Sequence, residues 1–366
     1  MAASITRSQV LGFRVASLQL DREAGGLADT AVLDMGVQDT GPDGGLWALA
    51  VRGVEASKVT GEKLATVWTI RGAPHLYRRD DLPAVAAAVE PFSDADAGKR
   101  IYDAAKPLKA AGIGNLAALD AVAAAMRSVV TKPTVKGEVS AQLSAMMGTP
   151  YLRFCRPCGA THVHEMPFRL AALRAGLELE AGTSPPVLRP IPGFQKAATT
   201  PERYDVIRAY LRLLGPATPK HVADYLDAPV KDVNARWPSD ALEVSVDGQA
   251  RWILLADADR LTAGEKTGTR LLGPYDLFLQ ARDRSLLVED PARAKALWPV
   301  LGRPGAVLSD GEIAGTWRPR QTGARLKIQI DLWARASAAI RAEVAEQAER
   351  LAVYRQVRLS AIDYAG

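Results

Sequence analysis

The sequence has few cysteines and no long apolar run. Its 366 residues include two cysteines, which cannot build a disulfide scaffold and are typical of a reducing cytoplasm. No stretch reaches about 18 consecutive apolar residues, the length that a membrane-spanning helix needs. The amino terminus also lacks the basic start and apolar core of a secretory signal. We therefore expect a cytoplasmic protein that is neither membrane-embedded nor secreted.

Two common kinds of catalytic motif are also missing. The chain has no glycine-rich phosphate-binding loop, and no Ser-His-Asp arrangement accompanies a nucleophile elbow. Nucleotide-dependent and serine-hydrolase functions therefore have no support. The net charge of +5 is a mild surplus that is compatible with a polyanionic partner without requiring one.

Helical and β-rich segments follow one another in a repeated order. The first three predicted helices, at 8–24, 27–35 and 42–54, precede a β-rich segment at 64–70, which is the order of a winged helix. A second helix-turn-helix is predicted to begin at 134–143. Farther along, Thr218 is expected to cap a helix with Pro219 at its first position.

Two Asp-Gly pairs predict β-hairpins in the last third of the chain. Asp247-Gly248 separates alternating segments at 242–246 and 252–255, and Asp310-Gly311 separates another such pair. Asp-Gly between alternating segments is a strong hairpin signal. An amphipathic helix predicted at 336–355 is expected to pack against the sheet that precedes it.

The 366 residues exceed one ordinary domain and fit two or three. We predict a mainly α protein with small β-wings, of the α+β class, built from tandem winged-helix units. The predicted units are a first winged helix at 1–90, a helical or winged-helix-like unit at 91–185, a third winged helix at 193–262, and a β-hairpin region with a C-terminal helix at 263–366. The proline-rich interval 182–192 is the predicted linker.

Both cysteines and two of the four histidines lie within ten residues of one another. Cys155, Cys158, His162 and His164 form a donor set that suits a structural zinc ion. Four donors would close a tetrahedral site and leave no open position for catalysis. The alternatives are a turn with buried thiols, or a redox pair formed by the two cysteines.

Several ordered segments resemble the AlkZ/YcaQ family of winged-helix DNA glycosylases. They are Gly36-Val37-Gln38-Asp39-Thr40, Arg71-Gly72-Ala73-Pro74-His75, Gly215-Pro216-Ala217-Thr218, Leu271-Leu272-Gly273-Pro274-Tyr275-Asp276 with Asp283-Arg284, and Asp310-Gly311-Glu312-Ile313-Ala314-Gly315-Thr316-Trp317-Arg318. The resemblance implies tandem winged helices around a concave, basic face that binds double-stranded DNA. It further implies excision of N-alkylated purines, or repair of crosslinks. We also expect a monomer that requires no cofactor.

The family carries a Gln-x-Gln or Gln-x-Asp catalytic motif, where this chain has Gln38-Asp39-Thr40. The resemblance implies that Gln38 positions a water molecule and that Thr40 assists. An alkylated purine already carries positive charge and leaves without a strong acid. The enzyme therefore needs to place a water and to stabilise an oxocarbenium-like transition state, and the water can be placed by a neutral amide.

Extended backbone places residues two apart on the same side. Gln38 and Thr40 would then point together, whereas Asp39 would face away and could support the site only if the backbone turns. His75 could contact a phosphate or orient a site residue. The alternative is a polar loop in which Asp39 or Thr40 caps the following helix.

Basic residues between positions 266 and 327 are candidates for phosphate contacts. They are Lys266, Arg270, Arg282, Arg284, Arg318, Arg320, Arg325 and Lys327. Such contacts position a protein on DNA without reading sequence. The alternative is a solvated charged face. A hairpin tip at Asp310-Gly311 or at 321–323 could probe a duplex.

Thr40 at the second motif position leaves open whether the chain is an enzyme. One rival is a non-catalytic DNA-binding regulator or lesion-binding protein, which predicts duplex binding without base release. Another is a protein that sequesters a DNA-damaging metabolite in its concave face, which predicts thermal stabilisation by the ligand without DNA.

Overall fold

The computed structural model describes residues 3–41, 43–55, 59, 61–261, 268–335 and 337–365. With 44% helix and 23% strand, it confirms the predicted α+β class. The strands amount to more than small wings, since one sheet has six strands and another has five.

The α-helices of the described residues are mostly short. They are α1 Arg7–Ser17, α2 Gly44–Ala50, α3 Leu82–Ala88, α4 Asp94–Arg100, α5 Ala105–Ala110, α6 Asn115–Val129, α7 Lys136–Met146, α8 Glu165–Arg174, α9 Val206–Leu214, α10 Pro219–Leu226, α11 Val230–Asn234, α12 Arg284–Leu287, α13 Pro291–Leu297 and α14 Ala338–Tyr354. As predicted, Thr218 caps α10, because its hydroxyl accepts from the backbone N–H of His221 at 3.2 Å.

The strands of the described residues form four sheets. The strands are β1 Ala3–Ile5, β2 Val37–Gln38, β3 Leu64–Trp68, β4 Pro74–Arg78, β5 Thr134–Val135, β6 Leu152–Cys155, β7 Ala160–Val163, β8 Leu177–Leu179, β9 Val187–Pro190, β10 Ala241–Val246, β11 Gln249–Leu254, β12 Arg270–Leu272, β13 Gly305–Ser309, β14 Glu312–Thr322, β15 Arg325–Leu332 and β16 Arg358–Tyr364. The sheet orders are β2-β4-β3-β8-β9-β5, β12-β13-β14-β15-β16, β1-β10-β11 and β6-β7.

Both predicted Asp-Gly hairpins are confirmed. Asp247 and Gly248 join β10 to β11, and Asp310 and Gly311 join β13 to β14. All four residues have positive φ, between 48° and 80°, as a two-residue hairpin turn of the mirror-image type requires. Helix α14 packs against the five-stranded sheet through Val344 and neighbouring apolar residues, as the sequence predicts.

Two local predictions are wrong. The predicted helix at 27–35 is only a 3-10 turn, Ala31–Asp34. Here Asp29 accepts from the Gly26 N–H, and the Thr30 hydroxyl donates to the Gly26 carbonyl, so these side chains replace the helical ladder. The predicted linker at 182–192 contains β9, which pairs with β8 and β5 and buries Leu188.

Two buried ion pairs tie the amino-terminal segment, at Arg14 and Arg52, to residues 276–283. Arg52 donates to both carboxylate oxygens of Asp276, at 2.8 and 2.9 Å, and Arg14 donates to both oxygens of Asp283, at 3.0 and 2.7 Å. Arg251 also donates to Asp283. Burial would raise the pKa of Asp283, but Arg14 and Arg251 hold it below its ordinary value. Breaking such a pair leaves an uncompensated buried charge.

No single helix of the described residues is long and apolar enough to cross a membrane. The bent pair Tyr102–Ala110 and Asn115–Val129 meets the length and composition criteria only when the two pieces are counted together across a 102° bend.

Candidate active site

Gln38 lies at the end of β2, on the edge of the six-stranded sheet. Its register partner on β4 is His75, and opposed residues of an antiparallel pair present their side chains on one face. The chain enters this strand through Gly36, whose φ is +90°. A Cβ at Gly36 would lie 2.4 Å from the Tyr77 ring, so a larger residue would displace the strand.

The Gln38 amide is held at both of its polar atoms. Gln280 Nε2 donates to Gln38 Oε1 at 2.7 Å, and Gln38 Nε2 donates to Thr40 Oγ1 at 3.1 Å. The two motif residues therefore point together, and Gln280 is a third member of the site.

Arg71 determines which way round both amides lie. Its Nη2 donates to Gln280 Oε1 at 2.6 Å, and its Nη1 donates to the Tyr225 carbonyl. Because a guanidinium can only donate, Gln280 must turn its carbonyl oxygen toward Arg71 and its NH2 toward Gln38. Gln38 then has to accept from Gln280 and donate to Thr40. These four residues, Arg71, Gln280, Gln38 and Thr40, are called the relay below. Its hydrogen bonds all run in one direction, because each residue donates to the next.

Gln280 owes its position to the buried Arg52–Asp276 pair. It ends the 3-10 turn Leu277–Gln280, at the start of which Asp276 accepts from the Phe278 N–H at 3.0 Å. Gln280 Nε2 also donates to the Tyr275 carbonyl at 3.1 Å. An ion pair in the core thus holds the turn that presents the relay's second residue.

The relay leaves hydrogen-bonding capacity at Gln38 and Thr40. An amide oxygen has two lone pairs and an amide nitrogen has two hydrogens. Gln280 uses one lone pair of Gln38, and Thr40 uses one hydrogen. The remaining lone pair can accept from a water, the remaining hydrogen can donate to an anionic oxygen, and the Thr40 hydroxyl can donate in its turn.

Arg71 of the relay and three arginines whose charges lie near it are called the arginine cluster below: Arg71, Arg282, Arg284 and Arg303. Within the described residues, none of the four has a carboxylate within ion-pair distance. Burial, followed by the charge of Arg71, lowers the pKa of Arg282. Burial, followed by the charges of Arg303, Arg282 and Arg71, lowers the pKa of Arg284. The four charges therefore repel one another in a partly desolvated place, as suits an anion-binding site.

Each guanidinium group of the cluster lies over an aromatic ring. Arg71 lies 4.6 Å from the Tyr225 ring centroid and Arg282 lies 6.0 Å from the same centroid. Arg284 stands 4.9 Å from Trp298, and Arg303 stands 5.5 Å from Tyr275. The Tyr275 carbonyl in turn accepts from Gln280, so Arg303 connects to the relay through one residue.

The family whose sequence model is described as "DNA glycosylase AlkZ-like" matches residues 35–354. The chain belongs to this family. The chain is also similar to a solved structure, "Streptomyces sahachiroi DNA glycosylase AlkZ", with a TM-score of 0.74 and 19% identity over 100% of both chains. At that identity the likeness shows the fold alone. No match was found among curated proteins. Membership of the AlkZ-like family supports a DNA-repair role of the glycosylase type.

Asp39, predicted as a possible supporting residue of this AlkZ-like site, faces away from Gln38. Its Oδ1 accepts from the Gly45 N–H at 2.8 Å, and its own N–H donates to the Pro74 carbonyl. It therefore satisfies the amino-terminal end of α2, which was the alternative reading of the motif.

His75 cannot contact a phosphate directly, because it is 1% exposed. Its Nδ1 lies 2.9 Å from the Ala73 carbonyl oxygen and 3.0 Å from Thr69 Oγ1. Burial and the charge of Arg71 lower the pKa of His75 to about 3. The imidazole is therefore neutral, with its proton on Nδ1 and a bare acceptor at Nε2 that has no partner in the described residues.

The basic residues predicted to contact phosphates differ in whether their side chains are free to do so. Arg282 and Arg284 belong to the arginine cluster. Arg270 is 4% exposed and pairs with Glu23 at 2.6 Å, so its prediction as a phosphate contact is wrong. Lys327 pairs with Asp363 at 2.5 Å. Arg318 donates to the Gly302 carbonyl at 2.7 Å; Arg320 and Arg325 are exposed. Lys266 lies outside the described residues.

The predicted four-residue metal set is incomplete. The ligating atoms of Cys155, Cys158 and His162 lie within 4.8 Å of one another. His164 does not join them; it is 4% exposed and its Nδ1 lies 3.6 Å from Asp103.

Sequence reasoning missed Gln280, Arg303 and the role of Arg71. Gln280 lies inside the Leu271–Arg284 segment that resembles the family, so the signal was present. Nothing in the sequence connects it to Gln38, which is 242 residues away.

Proposed function

We propose that the protein is a DNA glycosylase that releases N-alkylated purines from double-stranded DNA as a monomer. The observation that carries the proposal is the Gln38 amide, held between Gln280 and Thr40 with a polarity set by Arg71. The arginine cluster around this relay supplies positive charge that is not neutralised by ion pairing within the described residues. Family membership supports the same activity.

The reaction requires a water, a departing base and little acid catalysis. The water oxygen attacks C1′ while the N-glycosidic bond breaks, and the bonding electron pair leaves with the base. The alkylated base therefore changes from cationic to neutral. One proton of the water stays on the new C1′ hydroxyl, and the other passes to solvent. In this proposal Gln38 Oε1 accepts from the water and holds it at the sugar, since positioning is a large part of such a rate enhancement. Thr40 completes the water's hydrogen bonding.

The DNA-binding architecture that we infer is a set of tandem winged helices. Helices α10 and α11 precede the β10–β11 hairpin, and α6 and α7 precede the β6–β7 hairpin. Each succession has the helix-helix-wing order of a winged helix. Arg282, Arg284 and Arg303 would hold the phosphates beside the lesion.

A wedge adjoins the arginine cluster. Val300 and Leu301 are 96% and 86% exposed on the loop between α13 and β13, and Arg303 follows two residues later. Apolar side chains next to phosphate-binding cations are the elements with which proteins unstack a duplex. We infer that this loop, in place of the two hairpin tips suggested by the sequence, enters the DNA.

The decisive experiment is base release from duplex DNA that carries N7-methylguanine, with a bulky N3 or N7 adduct as a second substrate. Wild type is expected to produce alkali-labile abasic sites, and Gln38→Ala is expected to lose about 10²-fold or more of the rate. Gln195→Ala is the matched control, because Gln195 is exposed outside the helices and strands and makes no side-chain hydrogen bond within the described residues.

Two results would contradict the proposal. Tight duplex binding by wild type without release of any of these bases would identify a non-catalytic lesion-binding protein, the reading favoured by Thr40. Equal rates for Gln38→Ala and Gln195→Ala, with unchanged thermal unfolding, would place the chemistry elsewhere.

A test of the wedge uses the same lesion in duplex and in single-stranded DNA. The double variant Val300→Ser/Leu301→Ser is expected to lose activity on the duplex and to keep it on the single strand, since unstacking is needed only in the duplex. Equal losses on both would refute the wedge.

A further inference from the structure

The β6–β7 hairpin stands apart from the other sheets. Its strands are four residues each and pair only with one another within the described residues. Its base packs against α7, where the Val163 N–H donates to Ser144 Oγ at 3.1 Å. Most of the rest is exposed, including Phe154 at 64%. Because a two-stranded hairpin by itself is marginally stable in water, the exposed tip is the part that strand pairing alone supports weakly.

Three soft donors meet at that tip. Cys155 ends β6, Cys158 lies in the turn, and His162 lies on β7. Their ligating atoms are within 4.8 Å of one another, and the two Sγ atoms are 3.0 Å apart. In a tetrahedral site with Zn–S bonds of about 2.3 Å, two sulfurs stand about 3.7 Å apart. A small rotation of the exposed Cys158 side chain would reach that distance.

The turn has the form of a metal-binding knuckle. Gly159 follows Cys158 with a φ of +62°, so the chain reverses where only glycine does so without strain.

We propose that Cys155, Cys158 and His162 bind one zinc ion, which fastens the tip of the β6–β7 hairpin. Two thiolates and an imidazole are a zinc donor set, and water fills the fourth position because no fourth donor of the described residues joins the group. Arg153 and Arg156 flank the site on the exposed surface. The zinc would therefore hold a basic, aromatic-bearing hairpin in one orientation. The proposal does not depend on base release.

The test measures metal content under reducing conditions. Wild type purified after growth with zinc is expected to carry about one zinc per chain, and Cys158→Ser and His162→Ala are expected to carry almost none. Thr161→Ala, an exposed neighbour on β7, and His164→Gln, outside the donor group, should keep the metal. Circular dichroism of each variant checks that the body of the protein remains folded.

A second measurement needs no variants. Cobalt(II) added to metal-free wild type is expected to give thiolate charge-transfer and tetrahedral d–d absorption, and zinc should displace it. A chelator should then remove the zinc readily, since one coordination position is open. Absence of cobalt absorption together with absence of bound zinc would overturn the site.

Two further outcomes would also overturn the proposal. Loss of zinc in His164→Gln with retention in His162→Ala would mean that the donor set is wrong. A thiol titration that finds no free thiol in protein purified without reductant, and no zinc after reduction and zinc addition, would identify a redox pair. The chain has only these two cysteines, so the titration is unambiguous.

Discussion

The chain presents cationic side chains in two regions that differ in almost every physical respect. The arginine cluster comes from segments between residues 71 and 303, is partly buried, and has no ion-pair partner in the described residues. The other region, called the sheet face, consists of Arg318, Arg320, Arg325 and Lys327 on β14 and β15. Its residues are exposed, and Lys327 already has a carboxylate partner.

The difference teaches where a charged ligand would gain most. Cations that are crowded and partly desolvated in the free protein are relieved when an anion arrives, whereas exposed cations exchange solvent and salt for the ligand at little net gain. We therefore expect the arginine cluster to hold the phosphates nearest the chemistry and the sheet face to contribute to general attraction.

The two regions also rest on different supports. The turn that presents Gln280 beside the cluster depends on the buried Arg52–Asp276 pair, and the sheet face is crossed by the exposed Lys327–Asp363 pair. Asp276→Asn is expected to lower the free energy of unfolding by about 3–5 kcal/mol, because it leaves a buried guanidinium uncompensated. Asp363→Asn should cost about 0–1 kcal/mol. Urea unfolding of both variants makes the comparison, and equal losses would contradict it.

The polarity of the relay is tested by Gln280→Glu. A carboxylate at this position keeps the bond to Arg71 and loses the donor to Gln38, so Gln38 becomes free to rotate. Base release is expected to fall by about 10²-fold while thermal stability is retained. Gln321→Glu on the sheet face, which adds the same charge, is the control. A rate loss no greater than that of the control would mean that the relay is not needed.

The burial of His75, next to Gln38 in the sheet, also predicts that the free energy of unfolding depends on pH. The sheet face has no such buried histidine among its four residues. The pKa of His75 is about 3 in the folded protein, against 6.5 ordinarily. Above pH 6.5 the imidazole is neutral in both the folded and the unfolded chain. As the pH falls below 6.5, only the unfolded chain takes up the proton, so the folded state loses stability.

This loss amounts to about 2 kcal/mol at pH 5 relative to pH 7.5. His75→Gln should remove that part of the pH dependence, as measured by urea unfolding at the two pH values. His221, whose pKa is also lowered by burial, is present in both proteins and cancels in the difference. An unchanged difference between the two pH values would show that His75 is protonated in the folded state.

The smallest expected effect concerns salt. The logarithm of DNA affinity should fall with the logarithm of salt concentration, and each lost phosphate contact should reduce the slope by about 0.9. Arg284→Ala/Arg303→Ala is expected to reduce it by nearly twice that amount, and Arg320→Ala/Arg325→Ala by less. The reverse order would make the sheet face the principal DNA contact.

Local chemistry made part of the site predictable. The alternation of side chains in extended backbone placed Gln38 and Thr40 together and Asp39 apart, and the Asp-Gly pairs marked two hairpins correctly. Spacing also brought Cys155, Cys158 and His162 together at the tip of one hairpin. Spacing failed for His164, which lies only two residues after His162 but is buried near Asp103.

Other features depended on partners that are distant in the chain. Arg270 and Arg284 are indistinguishable as sequence, and only the fold pairs the first with Glu23 and leaves the second without a carboxylate within ion-pair distance. Strand β9 lies in a proline-rich interval, and prolines in sequence indicate a linker. The sequence does not show that β5 and β8 lie on either side of this segment and pair with it.

The sequence by itself determined most of the local elements of this protein, its family and the two polar residues at the end of β2. These follow from backbone geometry and from short motifs, which act over a few residues. Only the tertiary structure decided that Gln280 and Arg71 complete the site, that Arg52–Asp276 supports it and that four arginines remain without carboxylates. The direction of a hydrogen bond and the neutralisation of a charge each depend on two residues in contact. Which residues come into contact is set by the tertiary fold.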